Sequence, residues 1–149
     1  MTEWLDARQQ RAWRGWIDAS RRIQAATERQ LKDDNGLTGD DYEVMVRLSE
    51  TDDGRMRMSD LAACVGNSPS RLSQRIDRMA RAGLVCRDRC EADGRVLYAV
   101  LTDEGVARLE AAAPGHVAEV RRQFIDRLTP AEIDFLAEVL PRLAERLDD

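Results

Sequence analysis

The sequence predicts a mostly α-helical fold that contains one small β-hairpin. Three observations support this prediction. Apolar residues recur at helical spacing along most of the chain, residues that favour helix ends divide it, and two segments rich in β-forming residues flank a glycine-containing turn. Because the 149 residues contain no internal repeat, low-complexity stretch or long linker, we expect a single domain.

The first two helices are predicted from apolar periodicity and from the residues at their ends. A long helix is expected over about residues 2–31, and the Asn35-Gly36 pair suits its C-terminal end. A second helix is expected to begin after Thr38, whose hydroxyl can cap it three residues before Asp41.

Two short helices and a hairpin are predicted in the middle of the chain. Ser59 is placed to cap a third helix over residues 60–65, and Ser68 to cap a fourth with Pro69 at its first position. Strands are then expected within 84–89 and 95–101, on either side of a turn. These elements, in this order, predict a helix-turn-helix followed by a β-hairpin.

The C-terminal part is predicted to be helical again. A fifth helix is expected to start at Thr102 and to be interrupted or kinked at Pro114-Gly115. The last helix has a capping box, in which Thr129 and Glu132 are three residues apart and Pro130 stands between them. Apolar residues at spacings of three and four continue along both helices, so each has an apolar face to bury.

The charge distribution separates the middle of the chain from the rest. The whole chain has a formal charge of −5, but the segment from Arg55 to Arg95 contains nine arginines and five carboxylates and therefore has a net charge of +4. The remaining residues must then have a net charge of −9. This pattern is typical of a DNA-reading segment held by an acidic scaffold, and it also fits a solvated surface of salt bridges.

The predicted fourth helix is strongly two-sided. Leu72, Ile76 and Met79 share one narrow face at 100° per residue, and Arg75 flanks that face, which suits a structural role. Ser70, Arg71, Gln74, Arg78 and Arg81 project on the far side. Arginine, glutamine and serine can all contact base edges or phosphates in a major groove, although an ordinary amphipathic surface helix has the same pattern.

Several short motifs together resemble one known family over nearly the whole chain. They are Leu61-Ala62, the segment from Ser68 to Gly83, Gly83-Leu84-Val85 with Arg87, Asp93-Gly94-Arg95, and Leu101-Thr102 followed by Gly105. The combination of D-x-R with L-T-x-x-G is the specific part. The chain resembles the MarR family of winged helix-turn-helix transcriptional regulators.

This resemblance implies a DNA-binding lobe over about residues 38–101. The recognition helix would enter the major groove, Arg95 would reach into a neighbouring minor groove, and Asp93 would orient the wing by pairing with a nearby arginine. The residues expected to contact double-stranded DNA are Ser68, Ser70, Arg71, Gln74, Arg78, Arg87 and Arg95. Helices within about 1–31 and 103–149 would interlock with a second copy as a homodimer, although their apolar faces could also pack within one chain.

The expected function is that of a sequence-specific repressor, released by a ligand and bound to an inverted-repeat operator. By resemblance, a small aromatic or phenolic effector would bind between the dimerisation helices and the DNA-binding lobe. The residues considered for that pocket are Trp13, Arg14, Trp16 and Tyr42. At helical spacing such aromatic residues also suit a hydrophobic core.

Other functional classes have weaker support in the sequence. A redox-responsive regulator using Cys86 and Cys90 and a winged-helix module that binds only protein are the alternatives. No catalytic motif is present, His116 is expected at the surface, and one histidine with three scattered cysteines predicts neither a metal site, a disulfide nor a cofactor. Without an N-terminal signal or a long apolar run, we expect a cytoplasmic protein that does not bind membranes.

Overall fold

A computed structural model describes residues 1–147 of the chain, which are mostly helical with a small antiparallel sheet. This architecture confirms the predicted fold class. The elements are α1 (Ala7–Asn35), α2 (Gly39–Ser49), β1 (Arg55–Arg57), α3 (Met58–Cys64), α4 (Pro69–Arg81), β2 (Val85–Arg89), β3 (Leu97–Leu101), α5 (Asp103–Gln123), a 3₁₀ turn (Ile125–Arg127) and α6 (Pro130–Leu147). We call residues 28–116 the central unit, and residues 1–27 with 117–147 the terminal unit.

Helix α1 begins five residues later than the apolar pattern predicts. Asp6 and Gln9 form a reciprocal cap, in which each backbone N–H donates to the other side chain, at 2.9 and 2.8 Å. Gly36 terminates the helix with φ of +66°, a left-handed conformation that favours glycine. The predicted ending at Asn35-Gly36 is therefore confirmed. The predicted start near residue 2 is wrong, because Asp6 caps the helix and Ala7 is its first residue.

The caps of the next helices follow the sequence with one exception. Thr38 Oγ1 accepts from the N–H of Asp41 at 3.1 Å, and Ser68 Oγ accepts from the N–H of Arg71 at 3.3 Å. Ser59 does not cap α3, since that helix already begins at Met58 and Arg57 occupies its N-cap without a side-chain bond. The reason is that Arg57 ends a strand, so the chain passes directly from sheet to helix.

The sheet has three strands rather than the two of the predicted hairpin. Strand β3 lies in the centre and pairs antiparallel with β1 and β2, in the order β1-β3-β2. The β2–β3 hairpin is as predicted, although its strands are slightly shorter. Strand β1 was not predicted because it has only three residues, too few to show an alternating pattern.

Close packing at the start of α5 explains the L-T-x-x-G motif. Thr102 Oγ1 donates to the carbonyl of Gly83 at 2.6 Å and accepts from the N–H of Gly105 at 3.0 Å, so it joins the end of α4 to the cap of α5. A Cβ atom at Gly105 would lie 2.1 Å from the Leu84 carbonyl oxygen. Only glycine fits there without movement of the backbone.

The hydrophobic core lies within the central unit. Helix α4 contributes Leu72, Ile76 and Met79, all at most 1% exposed, and α2 contributes Val44, Met45 and Leu48, all at 0%. Strand residues Val85 and Ala99 extend the same cluster. Burial of several complete side chains, each of which contributes roughly 1.5–3 kcal/mol, fixes the position of α4 on this core.

Helices α5 and α6 form the C-terminal part of the chain. Helix α5 continues without a break through Pro114, so the helix is not interrupted there, and the kink that the sequence also predicts stays a prediction. The capping box of α6 is confirmed, since Thr129 N–H donates to Glu132 Oε2 at 2.8 Å and Glu132 N–H donates to Thr129 Oγ1 at 3.3 Å. No helix within residues 1–147 is long and apolar enough to span a membrane.

Candidate nucleic-acid interface

Helix α4 places the predicted base-reading residues on its solvent side. The three apolar residues of the wheel are buried, as predicted. The exposed residues of this helix and its cap include Ser68, Ser70, Arg71, Gln74, Arg78 and Arg81. Because the apolar face is anchored in the core, the polar face is presented on a rigid helix, which is the property that a recognition helix needs.

An ion network fastens α4 to α2. The Asp41 side chain, which is 13% exposed, accepts from Arg75 Nη1 and from Arg78 Nη2, each at 3.0 Å, and Asp40 also pairs with Arg75. The Arg75 side chain is 15% exposed, which supports the structural role inferred for it. Arg78 remains 54% exposed, so its guanidinium can still contact another group from the solvent side.

Arg87 joins the hairpin to α4. Its Nη2 donates to the backbone oxygen of Ser73 at 3.0 Å and to Ser73 Oγ at 2.8 Å, and it lies 3.0 Å from Asp77 Oδ1. The sequence predicts Arg87 only as a DNA contact, because its structural partners lie 10 and 14 residues away and no local pattern indicates them. The DNA contact stays a prediction beside this observed structural role.

Local bonds hold the tip of the hairpin. Asp93 Oδ1 accepts from the backbone N–H of Arg95 at 3.0 Å, and Val96 N–H donates to the Asp93 carbonyl at 3.0 Å. Arg89 Nη1 donates to the Gly94 carbonyl at 3.3 Å. Asp93 thus orders the turn through the backbone of Arg95, and no arginine side chain within residues 1–147 forms an ion pair with it. The arginine partner that the resemblance implies is therefore not observed, and the Arg95 N–H bonds to this carboxylate instead.

The residues considered for an effector pocket lie in different surroundings. Trp16 lines a cavity of about 550 Å³ in the terminal unit, whereas Trp13 and Arg14 are exposed and do not line it. The other residues that line this cavity are Ala19, Ser20, Ile23, Gln24, Gln123, Phe124, Arg127, Leu128, Leu136 and Leu140. Tyr42 belongs to the core of the central unit and is 8% exposed.

Tyr42 packs against the single histidine of the chain. The ring centroids of Tyr42 and His116 are 4.5 Å apart, and burial raises the pKa of the Tyr42 hydroxyl. His116 is therefore half-buried rather than at the surface as expected, and burial lowers the pKa of its imidazole. Both shifts have the same cause, since removal from water disfavours the charged form of each group.

The thiols lie apart from any metal-binding geometry. Cys64 and Cys86 are exposed, Cys90 is half-buried, and all three are free. Within residues 1–147 no group of three histidine, cysteine or acidic residues is arranged to hold a metal ion.

Comparison with known proteins identifies the family. The sequence pattern of the MarR family matches residues 37–97. AbsC, a MarR family transcriptional regulator from Streptomyces coelicolor, is 46% identical with a TM-score of 0.92, and the alignment covers 99% of both chains. The chain belongs to the MarR family.

Two further relatives of this MarR family protein are a regulator solved with DNA and a repressor. Sco3205 from Streptomyces coelicolor, solved in complex with DNA, is 38% identical with a TM-score of 0.94, over 100% of this chain and 93% of that one. The repressor YetL of Bacillus subtilis is 30% identical over 75% of this chain and 66% of its own length, so about a third of YetL is unmatched. As a MarR family member, the protein is a transcription regulator rather than an enzyme.

Proposed function

We propose that this MarR family protein is a repressor that binds an inverted-repeat operator in double-stranded DNA as a homodimer. The observation that carries the proposal is the outer face of α4, where Arg71, Gln74 and Arg78 are exposed on a helix anchored by its buried side. In a major groove, arginine recognises guanine, glutamine recognises adenine, and serine contacts either bases or phosphates. That Sco3205 was solved with DNA and that YetL is a repressor support the same function here.

The hairpin supplies a second reading element. Arg95 is exposed at its tip and has no ion-pair partner within residues 1–147, while Asp93 orders the backbone that presents it. A free arginine on a narrow projection suits the minor groove, where negative potential depends on groove width. We therefore assign base readout to α4 and groove-width readout to Arg95.

The homodimer is supported by the apolar surface of the terminal unit. Trp13, Phe135 and Leu147 are 58%, 63% and 77% exposed. Monomeric soluble proteins rarely leave so many large apolar side chains in water, and a C₂ partner would cover them. A dimer would also place two recognition helices about 34 Å apart, which is one turn of DNA and requires an inverted repeat.

The effector is proposed to be a small aromatic or phenolic compound. The cavity lined by Trp16 is apolar and has the size of a small-molecule site. Phenolic or benzoate-like compounds should quench tryptophan fluorescence and release DNA over one concentration range. Unchanged ligand affinity in a folded Trp16→Ala dimer would remove this cavity from the effector proposal.

Titrations of matched and mismatched operators at two salt concentrations test the DNA proposal. We expect Arg95→Ala to weaken operator binding by about 1–3 kcal/mol and to lower its salt dependence, without changing the preference among half-sites. Gln74→Ala should instead relax that preference, because it removes a base contact. Wild-type affinity and salt slope in Arg95→Ala would contradict the role of the hairpin, and circular dichroism would confirm that each variant is folded.

A further inference from the structure

A notch lies between the start of α3 and the hairpin, on the same side as the free arginine at the hairpin tip. It has a volume of about 290 Å³ and is lined by Arg57, Met58, Ser59, Arg95, Val96 and Leu97. Two arginines that are far apart in sequence therefore line one concave site. Arg57 did not feature among the DNA contacts predicted from the sequence.

Tyr98 holds the two arginines of β1 in different ways. Arg55 lies over its ring, with Cζ 4.0 Å from the ring centroid, and also pairs with Asp88 at 3.2 Å and with Asp53 at 3.6 Å. Arg57, two residues along on the same face of the strand, donates from Nε to the Tyr98 hydroxyl at 3.4 Å. The charge of Arg55 is therefore balanced by two aspartates, whereas Arg57 is held by an uncharged hydroxyl.

The negative charge of Asp60 acts on Arg57, but its carboxylate lies beyond ion-pair distance. Within residues 1–147 no carboxylate forms an ion pair with Arg57 or Arg95, and the Nη groups of Arg57 make no hydrogen bond there. Arg78 and Arg87 of the same unit, by contrast, each have an aspartate partner. Two like charges on one concave surface repel each other, so an anion that binds both would be favoured.

We propose that this notch binds a phosphate of the DNA backbone, with Arg57 as a contact that positions the hairpin beside the minor groove. The inference rests on the proposed function and deepens it. Both arginines attract a phosphodiester to the notch, and Arg57 forms the charge-assisted bonds to its oxygens, while Arg95 extends from the edge of the notch towards the minor groove. Arg57 then fixes register and orientation without reading sequence.

The test compares Arg57→Ala, Arg57→Lys and the control Arg29→Ala with the wild-type dimer on one operator duplex. Arg29 is an exposed arginine of α1 whose removal changes the net charge equally. If one phosphate contact is lost, the slope of log affinity against log salt should fall by about 0.9. The affinity should fall about fifteenfold at 0.05 M salt and about fivefold at 0.15 M.

The other variants and a mismatched operator separate this role from a structural one. Arg57→Lys should keep the salt slope because it keeps the charge, Arg29→Ala should leave the slope unchanged, and Arg57→Ala should weaken matched and mismatched operators equally. If a folded Arg57→Ala dimer keeps the wild-type salt slope and affinity, the phosphate proposal is overturned while the proposed function stands. The same holds if Arg29→Ala lowers the slope as much as Arg57→Ala does. Failure of the wild-type protein to bind any operator would overturn the proposed function as well.

Discussion

The central and terminal units differ in how far their apolar side chains are buried. Every buried apolar side chain within residues 1–147 belongs to the central unit, including Leu72 and Ile76 at 0% exposure. In the terminal unit the only buried side chain of the described part is Glu119, which pairs with Arg122. Tryptophan, phenylalanine and leucine side chains meanwhile remain exposed on its helices.

This difference indicates two separate sources of stability. The central unit buries its apolar residues within one chain, so its fold is fixed by intramolecular packing. The terminal unit also has regular apolar periodicity in α6 but buries none of its apolar residues fully. Periodic apolar residues therefore identify a face that must be covered, and they do not tell whether the same chain covers it.

The largest expected effect is a cavity in the core of the central unit. Leu72→Ala should lower the free energy of unfolding by about 2–5 kcal/mol, because the side chain is fully buried and its neighbours cannot fully collapse. Val106→Ala is the control, at a position that is 39% exposed in the same unit, and should cost about 0.5 kcal/mol or less. Equal losses in denaturant titrations of the two variants would contradict the assignment of the core.

The next effect concerns assembly through the terminal unit. Phe135→Asp should raise the dimer dissociation constant about 10- to 100-fold, because it places a charge on an apolar side chain that is 63% exposed in one chain. Sedimentation equilibrium measures this constant. Ala137→Asp adds the same charge about 200° around α6 and should leave assembly nearly unchanged. A wild-type protein that is monomeric at micromolar concentration and still binds DNA would refute the dimer.

Helix caps provide a smaller and matched comparison between the units. Thr38→Ala in the central unit and Thr129→Ala in the terminal unit should each cost about 1 kcal/mol of stability, because each leaves a helix N–H without its acceptor. Thermal unfolding of both variants beside the wild type measures the two costs. If only one variant loses stability, water replaces the hydroxyl as acceptor at the helix end of the other variant.

The Thr129 cap also has a pH signature. Bonds from the backbone N–H and the hydroxyl of Thr129 hold the pKa of Glu132 below its ordinary value. The stabilisation is therefore complete above that ordinary pKa of about 4.3 and is lost as the pH falls through the lower folded value. In Thr129→Ala, an NMR titration should find the Glu132 pKa closer to the ordinary value.

The smallest effect is expected at His116. Burial lowers its pKa, whereas the negative charge of Glu43 opposes this shift. Protonation below about pH 6.5 then favours the unfolded chain, so stability should fall as the pH decreases from 7.5 to 5.5. His116→Phe keeps a ring against Tyr42 and should reduce that decrease in denaturant unfolding. An identical pH dependence in both proteins would contradict the assignment.

Much of the local structure was predictable because it depends on neighbouring residues. Thr38, Ser68 and Thr129 cap their helices as expected, since a cap needs only a side-chain oxygen within three residues of a free N–H. The two faces of α4 follow equally from its 3.6-residue period. The Asp6–Gln9 cap obeys the same rule, but the apolar pattern continues past it towards the N-terminus and therefore predicts an earlier start.

The sequence by itself determined the helices, the hairpin, the outward face of α4 and the resemblance that identified the family. Tertiary structure decided which charges remain free. Arg75 and Arg78 meet Asp41 across more than 30 residues, and Arg55 meets Asp88 across a sheet whose first strand is too short to predict. An arginine has the same charge wherever it stands, but its ability to bind phosphate depends on whether the fold brings a carboxylate to it. That depends on distances between elements remote in sequence, which no local period encodes.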